Sequence, residues 1–187
     1  MDKLLYILWW FMFNQMDVDQ RMQIPPERMA YMCGLEEDEF EYFAQVVEAE
    51  SDGRVEYHDG KLYVAACIWD RINGPYFPDT VRGVLDQSGQ FSTTYGGVCR
   101  KSATSASRYA ILEAYYQLQN GDIPTNILYF NCIGYNNGTS YDKIGDNYFM
   151  TYGDEVEFTW NDIWYNTCIF SPLEEMKSRM GMEEDDV

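Results

Sequence analysis

The chain has 187 residues, a single-domain length with enough material for a sizeable core. Hydrophobic residues at 46% and aromatics at 17% exclude a disordered chain. A formal net charge of −18 argues against nucleic acid, whose phosphates need basic partners, and against an anionic membrane surface.

Residues 1–34 read as an N-terminal extension. Its apolar stretch, Leu4 to Phe13, is too short to span a bilayer, and no small-residue cleavage site follows it. A helix docked on the domain is expected, with a membrane-associated or signal segment as the alternative. Residues 36–52 read as a helix, because Phe40, Phe43, Ala44 and Val47 share one face. The acidic run Glu36–Glu39 falls on its first turn, where the helix dipole favours negative charge, and Gly53 is placed to close its end. A second helix is expected over 61–73, stopped by Asn73-Gly74-Pro75, and a short third one from Asp79 or Thr80 with Val81, Val84 and Leu85 inward. Residues 102–119 read as a long Ser-capped helix ended by Asn120-Gly121.

The second half changes character. Segments 126–132, 148–152 and 155–160 are short, aromatic and β-branched, as strands are, and Ser171-Pro172 is placed to begin a last helix. Helices first and strands later predict an α+β fold, with a small antiparallel sheet in the second half. The domain is expected to run from 35 to 178, with an acidic tail over 179–187.

One histidine, His58, leaves no two- or three-His zinc site, and no metal or cofactor is expected. His58 itself reads as an exposed loop residue. The five cysteines (Cys33, Cys67, Cys99, Cys132, Cys168) are widely spread and form no CxxC pair. They read as reduced, buried small hydrophobes.

The informative carboxylates are Glu48 and Glu50. On a helix Glu50 follows Val47, Val46 and Phe43, whereas Glu48 follows Gln45, Ala44 and Glu41. Glu50 therefore borders an apolar face in the last turn, beside orphan carbonyls, and Glu48 lies in a polar column. An apolar setting disfavours a charged carboxylate. A carboxyl so placed can hold the proton that cleavage of a glycosidic bond must deliver to the leaving oxygen.

Four segments resemble the cell wall hydrolase family of the SleB and CwlJ type. They are Val47-Glu48-Ala49-Glu50-Ser51; Gly60-Lys61-Leu62-Tyr63-Val64-Ala65-Ala66 leading to Asp70-Arg71-Ile72, where the family reads GQxAVA and NRV; Phe77-Pro78 through Val84-Leu85; and Gln90-Phe91-Ser92. Leu128 to Asn131 and Ile144 to Phe149 resemble two later aromatic segments, so the likeness spans roughly 42–152. Departures are Asp70 for the family Asn, Asn147 for its His, and a longer connection from Glu50 to Gly60.

The resemblance implies a lysozyme- or transglycosylase-like domain that cleaves peptidoglycan glycan strands, mostly as a lytic transglycosylase, with Glu50 as the catalytic acid. Gln90, Ser92, Tyr129, Asn131, Asn147 and Tyr148 are then candidates to line the substrate groove, with Phe91 and Arg71 structural. Arg71 is expected to pair with Asp70 or Asp79. Such a protein acts on the wall, either released from the cytoplasm as a phage lysin or exported. The alternatives are a non-catalytic wall-binding or virion module on the same fold, and a cell-wall peptidase or amidase, for which one His is a poor endowment.

Overall fold

A computed structural model describes residues 3–51, 58–91, 93–95, 97–132 and 139–151. The expected strand at 155–160, the helix at Ser171, Tyr152, the acidic tail, Gly53, Ser92 and Cys168 lie outside the described residues.

Three short N-terminal helices come first: α1 (Lys3–Gln15), α2 (Val18–Met22) and α3 (Pro26–Met32). Asp17 caps α2 through a reciprocal pair of bonds with Gln20, and Pro26 opens α3 at its first position. One face of α1 is docked on the domain. Trp10 and Phe13 are buried, and the Trp10 ring stacks on Tyr115 and Tyr116 at 6.0 and 5.5 Å. Arg21 ties the segment down, donating to the carbonyls of Phe13 and Met16 and pairing with Glu113 at 3.3 Å. The other face leaves Leu4, Leu5, Leu8, Phe11 and Met12 exposed. Among the described residues no helix is long and apolar enough to cross a membrane.

Helix α4 (Glu37–Glu50) buries Phe40, Phe43, Ala44 and Val47, the stripe expected from its period, together with Val46. It ends on Ser51, whose N–H bonds the Val47 carbonyl. Helix α5 (His58–Ile72) is central, packed against α4, α7 and the sheet, with Val64, Ala65, Ala66, Cys67 and Ile68 fully buried. It begins at His58, three residues before the expected start, so His58 belongs to a helix and not to a loop. Thr80 caps the short α6 (Val81–Leu85). Helix α7 (Ser105–Asn120) is capped by Thr104, not by a serine. Thr104 and Ser107 satisfy each other's backbone N–H groups. Gly121, at φ 73°, closes it in the left-handed region that a side chain would strain.

The larger sheet has the order β3-β5-β4, all antiparallel, from β3 (Ile127–Asn131), β4 (Thr139–Ile144) and β5 (Asn147–Thr151). A two-residue ladder, β1 (Thr94–Tyr95) with β2 (Val98–Cys99), precedes α7. Strand β4 was not expected. Thr139-Ser140-Tyr141-Asp142-Lys143-Ile144 has no apolar alternation because it is an edge strand, where charge discourages further pairing. Gly145, at φ 62°, opens the two-residue turn that pairs Ile144 with Asn147, so Asp146 and Asn147 project from the hairpin tip.

Buried Arg71 joins these parts. Its Nε donates to the Leu128 carbonyl on β3 and its Nη1 to the Gln90 side chain. Its guanidinium lies about 5 Å from the Phe77, Phe91 and Tyr129 rings. The expected pairing with Asp70 or Asp79 is replaced by these contacts. Asp70 instead accepts from the Ile127 N–H, fixing the start of β3.

Candidate active site

Where α4 ends, its last side chains open into a pocket of about 370 Å³ lined by Glu48, Ala49, Glu50, Ser51, Lys101, Cys132, Asp146 and Asn147. Four elements converge there: the last turn of α4, the segment before α7, the end of β3 and the β4–β5 turn.

Glu50 is half-buried. Its Oε1 accepts two bonds from Thr93, from the hydroxyl at 2.6 Å and from the backbone N–H at 3.2 Å. Its backbone carbonyl, one of the orphans at the helix end, accepts from Asn147 Nδ2 at 3.1 Å. Asn147 thus fastens the hairpin tip to the residue that carries the carboxyl. Phe43, Val46 and Val47 are fully buried, so the apolar face that Glu50 borders is the core itself.

Glu48 differs from the expectation. Its polar column is buried: Glu48 is 8% exposed and paired with Lys61 at 2.9 Å, and Lys61 is 1% exposed. The Thr104 hydroxyl donates to the same Glu48 oxygen at 2.7 Å. These partners come from α5 and from the cap of α7, which spacing within α4 cannot reveal. Lys61 also donates to Ser51 Oγ at 3.1 Å, the spacing of a serine–lysine nucleophile pair. The Ser51 hydroxyl, however, donates to the Val47 carbonyl, and Lys61 is held by Glu48. The arrangement is a clamp, not an activated nucleophile.

Of the residues singled out from sequence, Glu50 and Asn147 meet at the pocket. Gln90 and Tyr129 belong to the Arg71 cluster. Asn131 and Tyr148 are register partners across β3 and β5, and Lys143 lies over the Tyr148 ring. Phe91 packs in the core, as expected. Sequence reasoning missed Thr93, Lys101, Cys132 and Asp146. Thr93 lies one residue past Ser92, Cys132 one past Asn131, and Asp146 within the Ile144–Phe149 segment, but nothing local marks which of these side chains turns into the site.

Cys33, Cys67 and Cys99 are buried and behave as small hydrophobes. Burial pushes the Cys67 thiol up to about 12 and raises that of Cys33. Cys132 departs from the expectation, because it is exposed at the pocket. Among the described residues no three His, Cys, Asp or Glu side chains come together as a metal site would need.

The fold and this site agree with what the chain matches. The family model described as Cell Wall Hydrolase covers residues 55–150, and the chain belongs to that family. Glu50 lies just before the matched segment. The chain is 33% identical over 101 residues to a spore cortex-lytic enzyme of Halalkalibacterium halodurans, covering 53% of this chain and 29% of that protein. It is 31% identical over 100 residues to the spore cortex-lytic enzyme of Bacillus subtilis, covering 52% and 31%. The chain thus spans about a third of the length of these curated relatives. Among solved structures, the catalytic domain of the germination-specific lytic transglycosylase SleB from Bacillus anthracis aligns with a TM-score of 0.52 and 27% identity, over 63% of this chain and 98% of that one. The Bacillus cereus SleB catalytic domain shares the fold, with a TM-score of 0.51 and 24% identity over 62% of this chain and 91% of that one. The α+β architecture, helices first and a small antiparallel sheet second, is that of these domains.

Proposed function

We propose that the chain cleaves the glycan strands of peptidoglycan as a lytic transglycosylase, with Glu50 as general acid and then general base. The observation that carries this reading is the placement of Glu50: a half-buried carboxyl lining an open pocket, held through one oxygen by Thr93. Because Oε1 takes both Thr93 bonds, Oε2 is the oxygen left to carry the proton. It donates that proton to the oxygen bridging MurNAc and GlcNAc as the bond to C1 breaks. The resulting carboxylate then takes the proton of the MurNAc C6 hydroxyl, whose oxygen closes on C1. One carboxyl performs both transfers, and no water enters.

Asp146 favours a second reading, because it lines the same pocket. A water activated by Asp146 would make the reaction a hydrolysis with two carboxylates. Mass spectrometry of fragments from purified peptidoglycan separates the two. Transglycosylation leaves 1,6-anhydro ends, and Asp146→Asn retains activity. Hydrolysis leaves reducing ends, and Asp146→Asn abolishes it. Binding of the glycan without any fragments would assign the chain to a non-catalytic wall-binding module.

Thr93→Val tests how the acid is held. It removes the 2.6 Å hydroxyl bond and keeps the backbone one. A hydrogen bond to a charged group contributes about 1.5–3 kcal/mol, so kcat is expected to fall at least tenfold. Unchanged kinetics would show that Thr93 does not orient Glu50.

A further inference from the structure

The geometry assigns Lys61 a role that neither the family likeness nor the Glu50 reading supplies: it is a positioning residue for Glu50. The assignment rests on the proposed role of Glu50. A buried ion pair is expensive to form, and an apolar pair of similar volume often serves stability as well or better. The Lys61–Glu48 pair is almost fully buried, so stability alone does not account for it. What the ammonium adds is a second bond, to Ser51 Oγ. Ser51 is the residue after Glu50, and its hydroxyl is bonded in turn to the Val47 carbonyl one turn back.

Lys61 therefore links α5 to the last turn of α4 through the residue adjoining Glu50. From the opposite side Asn147 holds the Glu50 carbonyl. The Glu50 backbone is fixed between a helix and a hairpin, and Thr93 then sets the carboxyl. Thr104 completes the anchor by tying Glu48 to the cap of α7. Displacement of a reacting group by about 1 Å can lower a rate about a hundredfold, so a clamp at this point acts on catalysis even though it touches no substrate.

Three variants, assayed for fragment release from purified peptidoglycan with kcat and KM separated, test the role. Ser51→Ala keeps the ion pair and breaks its link to the Glu50 turn. It is expected to lower kcat about tenfold, with KM within about twofold and melting close to wild type. Lys61→Gln keeps a donor for Ser51 but leaves Glu48 without its cation, so its kcat is expected within about threefold of wild type while its melting temperature falls. The double variant Glu48→Gln/Lys61→Met leaves no buried charge unpaired and is expected to lose kcat as Ser51→Ala does. A folded Ser51→Ala or double variant with wild-type kcat would overturn the assignment and reduce the pair to a folding element. Should the double variant not fold, Ser51→Ala decides alone. Glu50→Gln run alongside distinguishes the two failures. If Glu50→Gln is inactive while the clamp variants are fully active, only the Lys61 role fails. If Glu50→Gln is active, the Glu50 reading itself fails.

Discussion

Glu50→Gln is expected to abolish release of soluble fragments from purified peptidoglycan, a fall of at least about 10³-fold, while circular dichroism and melting stay near wild type. The size follows from the proposed chemistry. General acid–base assistance contributes about 10² to 10⁴ in rate, and here one carboxyl supplies both transfers. The unchanged fold follows from the surroundings. The amide carbonyl oxygen of the variant can still accept from Thr93, and the side chain is half-buried at a pocket, so no core contact is lost. No ion pair to Glu50 exists among the described residues, so none of their cations is stranded by the change. Ion pairing belongs to Glu48. Glu48→Gln would therefore be a poor stand-in for this experiment, because it disturbs a buried network as well as any chemistry.

The second large effect is on stability. Phe13→Ala is expected to lower the melting temperature of the whole chain by about 10 °C, in a single transition. Phe13 is fully buried, edge-on to Trp10 and Tyr116, and Arg21 packs over its ring at 4.2 Å. Truncating a buried Phe costs about 3–5 kcal/mol, a large share of the roughly 5–15 kcal/mol that holds a domain folded. For a chain of this size each kcal/mol moves the midpoint by about 2–4 °C. Phe11→Ala is the control on the same helix. Phe11 is 65% exposed, and its loss is expected to change stability by less than about 0.5 kcal/mol. An unshifted main transition in Phe13→Ala would mean that residues 1–34 are an appendage. A cooperative shift would make α1 part of the domain, although it lies outside the segment matched by the family model.

Much of the helical half was legible because its information is local. The apolar stripe of α4, the Gly121 stop of α7 and the inward Val81, Val84 and Leu85 of α6 each follow from spacing or from one residue's backbone preference. Errors of detail were of the kind that local reading makes. Ser102, Thr104 and Ser105 are all plausible caps for α7, and only the bond to the Ser107 N–H selects Thr104. Strand β4 carried no signal, because Tyr141, Asp142 and Lys143 are exposed in succession and give no alternation to display. Its hairpin nonetheless delivers Asn147 to Glu50, so the element least visible in the sequence shapes the site.

The candidate site itself was legible at two residues, Glu50 and Asn147. Glu50 stood out through its own helix, whose i−3, i−4 and i−7 neighbours are fixed by geometry. Everything that holds it comes from elsewhere in the chain: Thr93 from the loop before β1, Asn147 from the β4–β5 turn, and the Lys61–Ser51 link from α5. Glu48 shows the same limit from the other side. Its polar neighbours on α4 suggested water, whereas Lys61 and Thr104 make it a buried anchor. Periodicity reports which face of a helix is apolar, but not which polar face another element covers.

The most direct measurement is a crystal structure of the Glu50→Gln variant bound to a peptidoglycan tetrasaccharide. A MurNAc–GlcNAc bridging oxygen is expected at about 2.6–3.2 Å from the substituted amide, with Thr93 still bonded to that side chain. A glycan seated away from the α4 terminus, or one whose bridging oxygens are nearest another carboxylate, would contradict the role of Glu50.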